Sequence, residues 1–224
     1  GRNGRHPLPS LESAAALFGR LGIAPGTQVV AYDQGSGMFA SRLWWMLRWL
    51  GHDAVAVLDG GFERWTREGR PVSTAVPPPS HATFAPGRKR STASAAEIER
   101  AIAGGVLTLV DARVPERYRG DVEPLDPVAG HIPGARNRPY LHNVNPDATF
   151  KPADELRREF AALLGATPLD RVVHYCGSGV TGCHNVLAME IAGLPGTRLY
   201  PGSWSEWCAD PARPVETGDG SLTR

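Results

Sequence analysis

The sequence predicts an α/β protein built from two tandem copies of one parallel-sheet domain, the first copy lacking its N-terminal part. Three observations predict it. Val29-Val30-Ala31-Tyr32-Asp33-Gln34-Gly35-Ser36-Gly37 lines up with Val172-Val173-His174-Tyr175-Cys176-Gly177-Ser178-Gly179 at a shift of about 143 residues, with one extra residue in the earlier loop. A second matched block follows each copy in the same order: Leu58-Asp59-Gly60-Gly61-Phe62-Glu63-Arg64-Trp65, then Tyr200-Pro201-Gly202-Ser203-Trp204-Ser205-Glu206-Trp207. Short apolar runs also alternate with helix-patterned segments, which is how a parallel sheet with helical crossovers reads.

The elements follow in order. Ser10 can cap a helix whose apolar Leu11, Ala14, Ala15, Phe18 and Leu21 fall at helical spacing, with Gly22 to end it. Val29 to Tyr32 is a short strand, Met38 to Leu50 a helix ended by Gly51, and Ala54 to Leu58 a second strand. Pro77-Pro78-Pro79 and Pro86-Gly87 mark a stiff linker, which places the first copy at 1–75, the linker at 76–92 and the second copy at 93–224. The second copy opens on the capping-box pattern Ser94-Ala95-Ala96-Glu97. Val106 to Asp111 is a strand, and Gly130-His131-Ile132-Pro133-Gly134-Ala135 a turn-rich connection. Pro152 to Leu164 is a helix, Arg171 to Tyr175 a strand, Val180 to Ala192 a helix, and a last strand lies near Arg198 to Tyr200.

The second copy places about 80 residues ahead of its Cys176 loop, and the first places 32 ahead of Asp33, so the repeat implies roughly 50 residues missing from the first copy. A lost strand would leave apolar faces and strand edges uncovered. One expected partner is therefore the missing N-terminal fragment of the same chain.

Composition narrows the function classes. The 42% hydrophobic and 21% charged fractions are those of an ordinary globule. Lys and Arg number 24 against 23 Asp and Glu, and that balance gives no basic face for nucleic acid or a membrane surface. Met38 to Leu50 is too short, and with Arg42 and Arg48 too charged, to span a bilayer. No apolar signal region follows Gly1-Arg2-Asn3-Gly4-Arg5, and three cysteines make no disulfide framework, so a cytoplasmic location is expected. Cys176, Cys183, His184 and Cys208 lack metal-ligand spacing, so neither metal nor cofactor is expected.

Cys176 is the candidate nucleophile. It stands between an apolar strand and a helix and is followed by Gly177-Ser178-Gly179-Val180-Thr181. Glycines permit a tight loop whose N–H groups turn inward, and the next helix adds its positive end. Such a cradle stabilises a thiolate or another sulfur anion. The bland reading of Cys176 is a core cysteine after a strand, and the bland reading of Cys183 is core filling rather than a resolving thiol.

The residues resemble the rhodanese family. Gly130-His131-Ile132-Pro133-Gly134-Ala135 looks like its domain-start signature, Cys176-Gly177-Ser178-Gly179-Val180-Thr181 its active loop, and Tyr200 to Trp207 its C-terminal signature. The resemblance implies sulfur transfer through a persulfide on Cys176, from a small anionic donor (3-mercaptopyruvate or thiosulfate) to a thiol or cyanide. It implies that Gly177, Gly179, Val180 and Thr181 surround the donor, that Ser178 relays a proton or hydrogen-bonds the sulfur, and that Arg117 holds the donor's anionic end. In two-domain members only the second copy keeps the cysteine, so Asp33 marks the first copy as a structural partner. A second arginine expected about nine residues beyond Arg117 is replaced by Asp126, with Arg119 as a candidate substitute. Asp111 is expected to brace the loop and His131 to fix its turn. The alternatives are a non-catalytic sulfur-sensing or binding module, or a cysteine-dependent phosphatase-like enzyme. The latter needs an arginine six residues after the nucleophile, where Gly182 stands.

Overall fold

The computed structural model describes residues 3–76, 78, 80–87 and 90–219, so Pro77 and Pro79 of the expected linker lie outside the described residues. The chain forms two compact units, one of residues 8–91 with 146–149, the other of the residues up to Pro7 with 92–145 and 150 onward.

The smaller unit runs α1 (Leu11–Arg20), β1 (Val29–Ala31), α2 (Ala40–Trp49), β2 (Val55–Val57) and α3 (Gly61–Arg67). Ser10 caps α1 by accepting the Ser13 N–H at 3.1 Å. The two strands pair in parallel, Val29 opposite Val55. Trp45, Leu47 and Leu50 are buried. Phe18 meets Phe84 at 5.3 Å between ring centroids, and Trp45 stacks on Trp49 at 6.0 Å. The tryptophan cluster is therefore core. On the other side of β1, Val30 and Tyr32 are more than half exposed. With Leu58, Phe62, Trp65 and Val72 they line an apolar groove of ≈ 420 Å³ that no described segment fills.

The larger unit holds α4 (Ala95–Gly104), β3 (Thr108–Asp111), α5 (Pro115–Arg119), β4 (Arg136–Asn137), α6 (Ala153–Leu164), β5 (Val172–Tyr175), α7 (Thr181–Ile191), β6 (Arg198–Leu199) and α8 (Ser203–Trp207). All four strands are parallel, in the order β4-β3-β5-β6. Strand β3 starts two residues later than the sequence suggests. Gly105, left-handed at φ +65°, closes α4, and the chain enters register only at Thr108 opposite Val172. Side chains alternate across the central strands. Leu109, Val173 and Tyr175 pack with Ile98, Tyr200, Trp204 and Trp207, while Val110 and Val172 pack with Leu156, Phe160, Ala188 and Met189. Burial on both faces explains why β5 is buried at all four positions and does not alternate apolar with exposed residues. The short helices α3, α5 and α8, of seven, five and five residues, carry too few turns to show a period in sequence.

Candidate active site

Cys176 is the first residue past β5 and is 2% exposed. Its loop is pinned from α8. The Cys176 N–H donates to Ser203 Oγ at 3.1 Å, the Trp204 N–H donates to the Cys176 carbonyl at 2.9 Å, and the Ser205 N–H donates to the Gly177 carbonyl at 2.9 Å. Ser203 is buried with φ +55°, a strained setting for a residue with a side chain. Two hydrogen bonds offset that strain, one accepted from Cys176 and one donated to the Tyr200 carbonyl at 2.9 Å. The Gly202-Ser203-Trp204-Ser205 block thus works as a clamp on the cysteine loop.

Gly179 has φ +80°, which a side chain would oppose, and this turn aims its N–H back at Cys176 Sγ at 3.2 Å. Val180 then caps α7, and Thr181 is its first residue. The sulfur therefore lies at a backbone donor beside the positive end of an eleven-residue helix, a setting that favours an anion. Gly182 packs against Tyr175 and Leu199, so no guanidinium stands where a phosphate-binding loop needs one. Cys183, fully buried, donates its thiol to the Gly179 carbonyl at 3.3 Å.

The first copy shows a similar loop built around a carboxylate. Asp33 accepts N–H donors from Gly35 (3.1 Å), Gly37 (3.0 Å), Phe39 (2.8 Å) and Ala40 (3.2 Å). Its carboxylate fills a cradle of backbone amides at the start of α2.

Two site residues escaped the sequence reading because they lie in the segment before Pro7, which belongs to the larger unit. His6 Nδ1 is 2.8 Å from Ser178 Oγ. The Arg5 N–H donates to Ser205 Oγ at 3.0 Å, so the segment is anchored on α8. A β-carbon on Gly177 would stand 2.9 Å from Arg5 Nη2 and 3.4 Å from both terminal nitrogens of Arg117. Two guanidiniums therefore flank the residue after the cysteine. One of the two comes from the N-terminal segment, and Arg119 pairs with Asp121 at 2.8 Å and lies near Asp219.

Arg117, in the last turn of α5, donates to Glu123 at 2.7 to 3.2 Å and to Asp126 at 3.4 Å. Asp126 also pairs with Arg5, and so bridges the two arginines. Burial alone would raise the Glu123 carboxyl, but the Arg117 hydrogen bonds hold it below the usual range. Behind them, Asp111 takes a fork from Arg113 at 2.7 to 3.1 Å as well as the Arg113 N–H at 2.9 Å. Burial works against the Arg113 charge, and Asp111 overrides it and keeps its pKa raised. Arg113 reaches the Gly130 carbonyl at 2.7 Å and lies over the Trp204 ring. His131 stacks on Tyr118 at 3.8 Å between centroids, and its Nδ1 is 2.7 Å from the Tyr118 carbonyl oxygen. Among the described residues no cluster of His, Cys, Asp and Glu could hold a metal.

A profile of the rhodanese-like domain matches residues 1–68 and 94–210, which takes in the Arg5 segment, Asp33, Arg117 and the whole Cys176 loop. The chain belongs to the rhodanese family. It is 46% identical over 98% of its length to a probable 3-mercaptopyruvate sulfurtransferase of Pseudomonas aeruginosa, and covers 78% of that protein. It is 44% identical over 96% of its length to a putative thiosulfate sulfurtransferase of Mycobacterium tuberculosis, covering 76% of it. Among solved structures, an anaerobic ergothioneine biosynthesis enzyme from Chlorobium limicola, in complex with trimethyl histidine, superposes with a TM-score of 0.84 at 26% identity. That match covers 97% of this chain, which spans 56% of the Chlorobium chain. The two-copy α/β architecture with helix-flanked parallel sheets is thus that of a rhodanese. No described helix is long and apolar enough to cross a membrane.

Proposed function

We propose that this rhodanese is a sulfurtransferase that moves a sulfane sulfur from 3-mercaptopyruvate or thiosulfate to a thiol or cyanide acceptor through a persulfide on Cys176. The observation that carries it is the Gly179 N–H on Cys176 Sγ, at the start of α7 and within two residues of paired guanidiniums. The thiolate attacks the outer sulfur of the donor. With thiosulfate, the S–S bond breaks and its electron pair leaves on sulfite. With mercaptopyruvate, the C–S bond breaks, its electron pair passes to the methylene carbon, and the resulting pyruvate enolate takes a proton. In both cases Cys176 keeps one added sulfur. An acceptor thiolate or cyanide then attacks that sulfur and restores the Cys176 thiolate.

Each site residue has a role in this reading. The persulfide anion rests on the Gly179 amide and the end of α7, with Gly177, Val180 and Thr181 as the walls around the donor. The Ser178–His6 contact suits delivery of the proton that the enolate requires, a step thiosulfate does not need. Arg117 and Arg5 take the donor's carboxylate or sulfonate end. Residues 93–224 form the catalytic domain and 76–92 the linker. The first copy, read in sequence as 1–75, forms an inactive partner from residue 8 onward, because Asp33 fills its own amide cradle and cannot carry sulfur, while the segment up to Pro7, with Arg5 and His6, serves the catalytic unit. Cys176, Cys183 and Cys208 are all free thiols, which supports a reducing, cytoplasmic setting.

The test is mass spectrometry of the full chain after exposure to each donor. One added sulfur is expected on wild type and none on Cys176→Ser. Sulfur transfer that survives Cys176→Ser would refute the assignment.

A further inference from the structure

We propose that Asp126 is the residue that sets donor charge specificity, biasing the site toward singly charged donors and away from the thiosulfate dianion. The inference rests on the reading of Cys176 as the sulfur carrier. It starts from a charge count around Gly177. Arg5 and Arg117 bring two positive charges within reach of the donor's place. Glu123 and Asp126 bring two negative ones, each with a side chain only 3% exposed. The Arg113–Asp111 pair behind them balances itself. The cluster of Arg5, Arg117, Glu123 and Asp126 is thus neutral in sum before any donor arrives.

The two carboxylates differ in position. Glu123 holds the Arg117 Nε and Nη2, is the neighbour of Arg113 at 3.3 Å, and is fixed by the N–H groups of Leu125 and Asp126. It is built into the loop. Asp126 alone contacts both arginines, Arg5 through Oδ1 and Arg117 through Oδ2. It therefore occupies the bridging place that a donor's own oxyanion would take between two guanidiniums. A donor must share those arginines with a fixed negative charge. For two charges about 6 Å apart, at an effective dielectric of about 40 for a site open to solvent on the donor's side, one extra negative charge on the donor costs about 1.4 kcal/mol, on the order of tenfold in binding. A dianion meets that penalty twice and a monoanion once.

Asp126→Asn removes the charge and keeps the shape. For the full chain, kcat/KM for mercaptopyruvate should rise about tenfold and for thiosulfate about a hundredfold, so that the ratio of the two shifts about tenfold toward thiosulfate. The shift should shrink as salt is raised. Arg5→Gln, at a side chain 31% exposed and so tolerant of change, should shift the ratio the opposite way. A ratio that stays within about twofold in both variants, or moves the same way in both, overturns the proposal. Calorimetry on full-length Cys176→Ser, with and without Asp126→Asn, supplies a readout that needs no turnover. Sulfate affinity should gain about ten times more than pyruvate affinity from the second substitution, and equal gains count against Asp126. Absence of sulfur transfer in wild type, with this binding contrast intact, would instead refute the sulfurtransferase reading and leave the charge filter standing.

Discussion

Arg117→Ala tests whether the proposed donor-binding arginine is also a structural ion. In sequence Arg117 reads as a ligand arginine alone, whose removal costs a charge-assisted contact to the donor, roughly 1.5–3 kcal/mol or ten- to a hundredfold in kcat/KM. The structure adds a second cost. Arg117 donates to both oxygens of Glu123, at 2.7 and 2.9 Å from Nη2, and the Glu123 side chain is 3% exposed. Stripping the only partner from a buried carboxylate costs about 3–5 kcal/mol. Here Arg113 stays within 3.3 Å and two backbone N–H groups remain, so about 1–3 kcal/mol is expected.

The pH dependence has a definite sign. Glu123 titrates below its ordinary value in the folded protein, so its contribution to stability is present above the unfolded carboxyl pKa and is lost as pH falls through the folded one. Without Arg117 that depression is reduced. The stability gap between wild type and variant should therefore be widest near neutrality and close as the solution is acidified below about pH 4. Urea unfolding at several pH values, beside kcat/KM for both donors, measures the two costs separately. A variant as stable as wild type at neutral pH, or a gap that grows on acidification, would refute the Arg117–Glu123 argument. Unchanged kinetics with both donors would refute its role in binding.

Two further outcomes follow from the loops. Asp33→Ala leaves four backbone N–H groups without their carboxylate and should destabilise the smaller unit by about 2–4 kcal/mol, read from tryptophan fluorescence during unfolding, with Asp33→Asn losing less; a change below about 0.5 kcal/mol would mean that water replaces the carboxylate. Gly177→Ala places a methyl 2.9 Å from the flexible end of Arg5, so the fold should keep its stability to within about 1 kcal/mol while kcat/KM falls for both donors, and undiminished kinetics would show that the donor does not lie between the two arginines.

How much of this was legible in the sequence depended on how far apart the interacting residues lie. The strand, cysteine loop and helix from Val172 to Ile191 were legible because glycines punctuate an apolar run, and each signal is local. Arg117 was legible through resemblance, yet its partner Glu123 was not, because an exposed loop and a buried ion pair use the same residue types. Arg5 and His6 were out of reach. Their contacts on Ser205 and Ser178 span 200 and 172 residues, and nothing near Arg5 or His6 marks either as a site residue. Asp126 was visible only as an interruption where a second arginine was expected. The structure turns it into the bridge between the arginine that was foreseen and the one that was not.

The two loops make a further point about what the duplicated cradle requires. Both follow a short parallel strand, both turn through a left-handed glycine (Gly37 at φ +80° and Gly179 at φ +80°), and both lead into a helix. Inward-facing N–H groups at a helix start are costly to leave without an anion. The first copy meets that need permanently with the Asp33 carboxylate, tied to four donors. Under the proposed sulfur-transfer reaction, the second meets it with a sulfur that is neutral as a thiol and anionic as a thiolate or persulfide, and that cradle is then best satisfied when Cys176 carries the added sulfur. The clamp from Ser203, Trp204 and Ser205 then has a physical purpose. A loop that must stay formed while its anion comes and goes needs holding from outside, and the bonds to the backbone of Cys176 and Gly177 supply that hold.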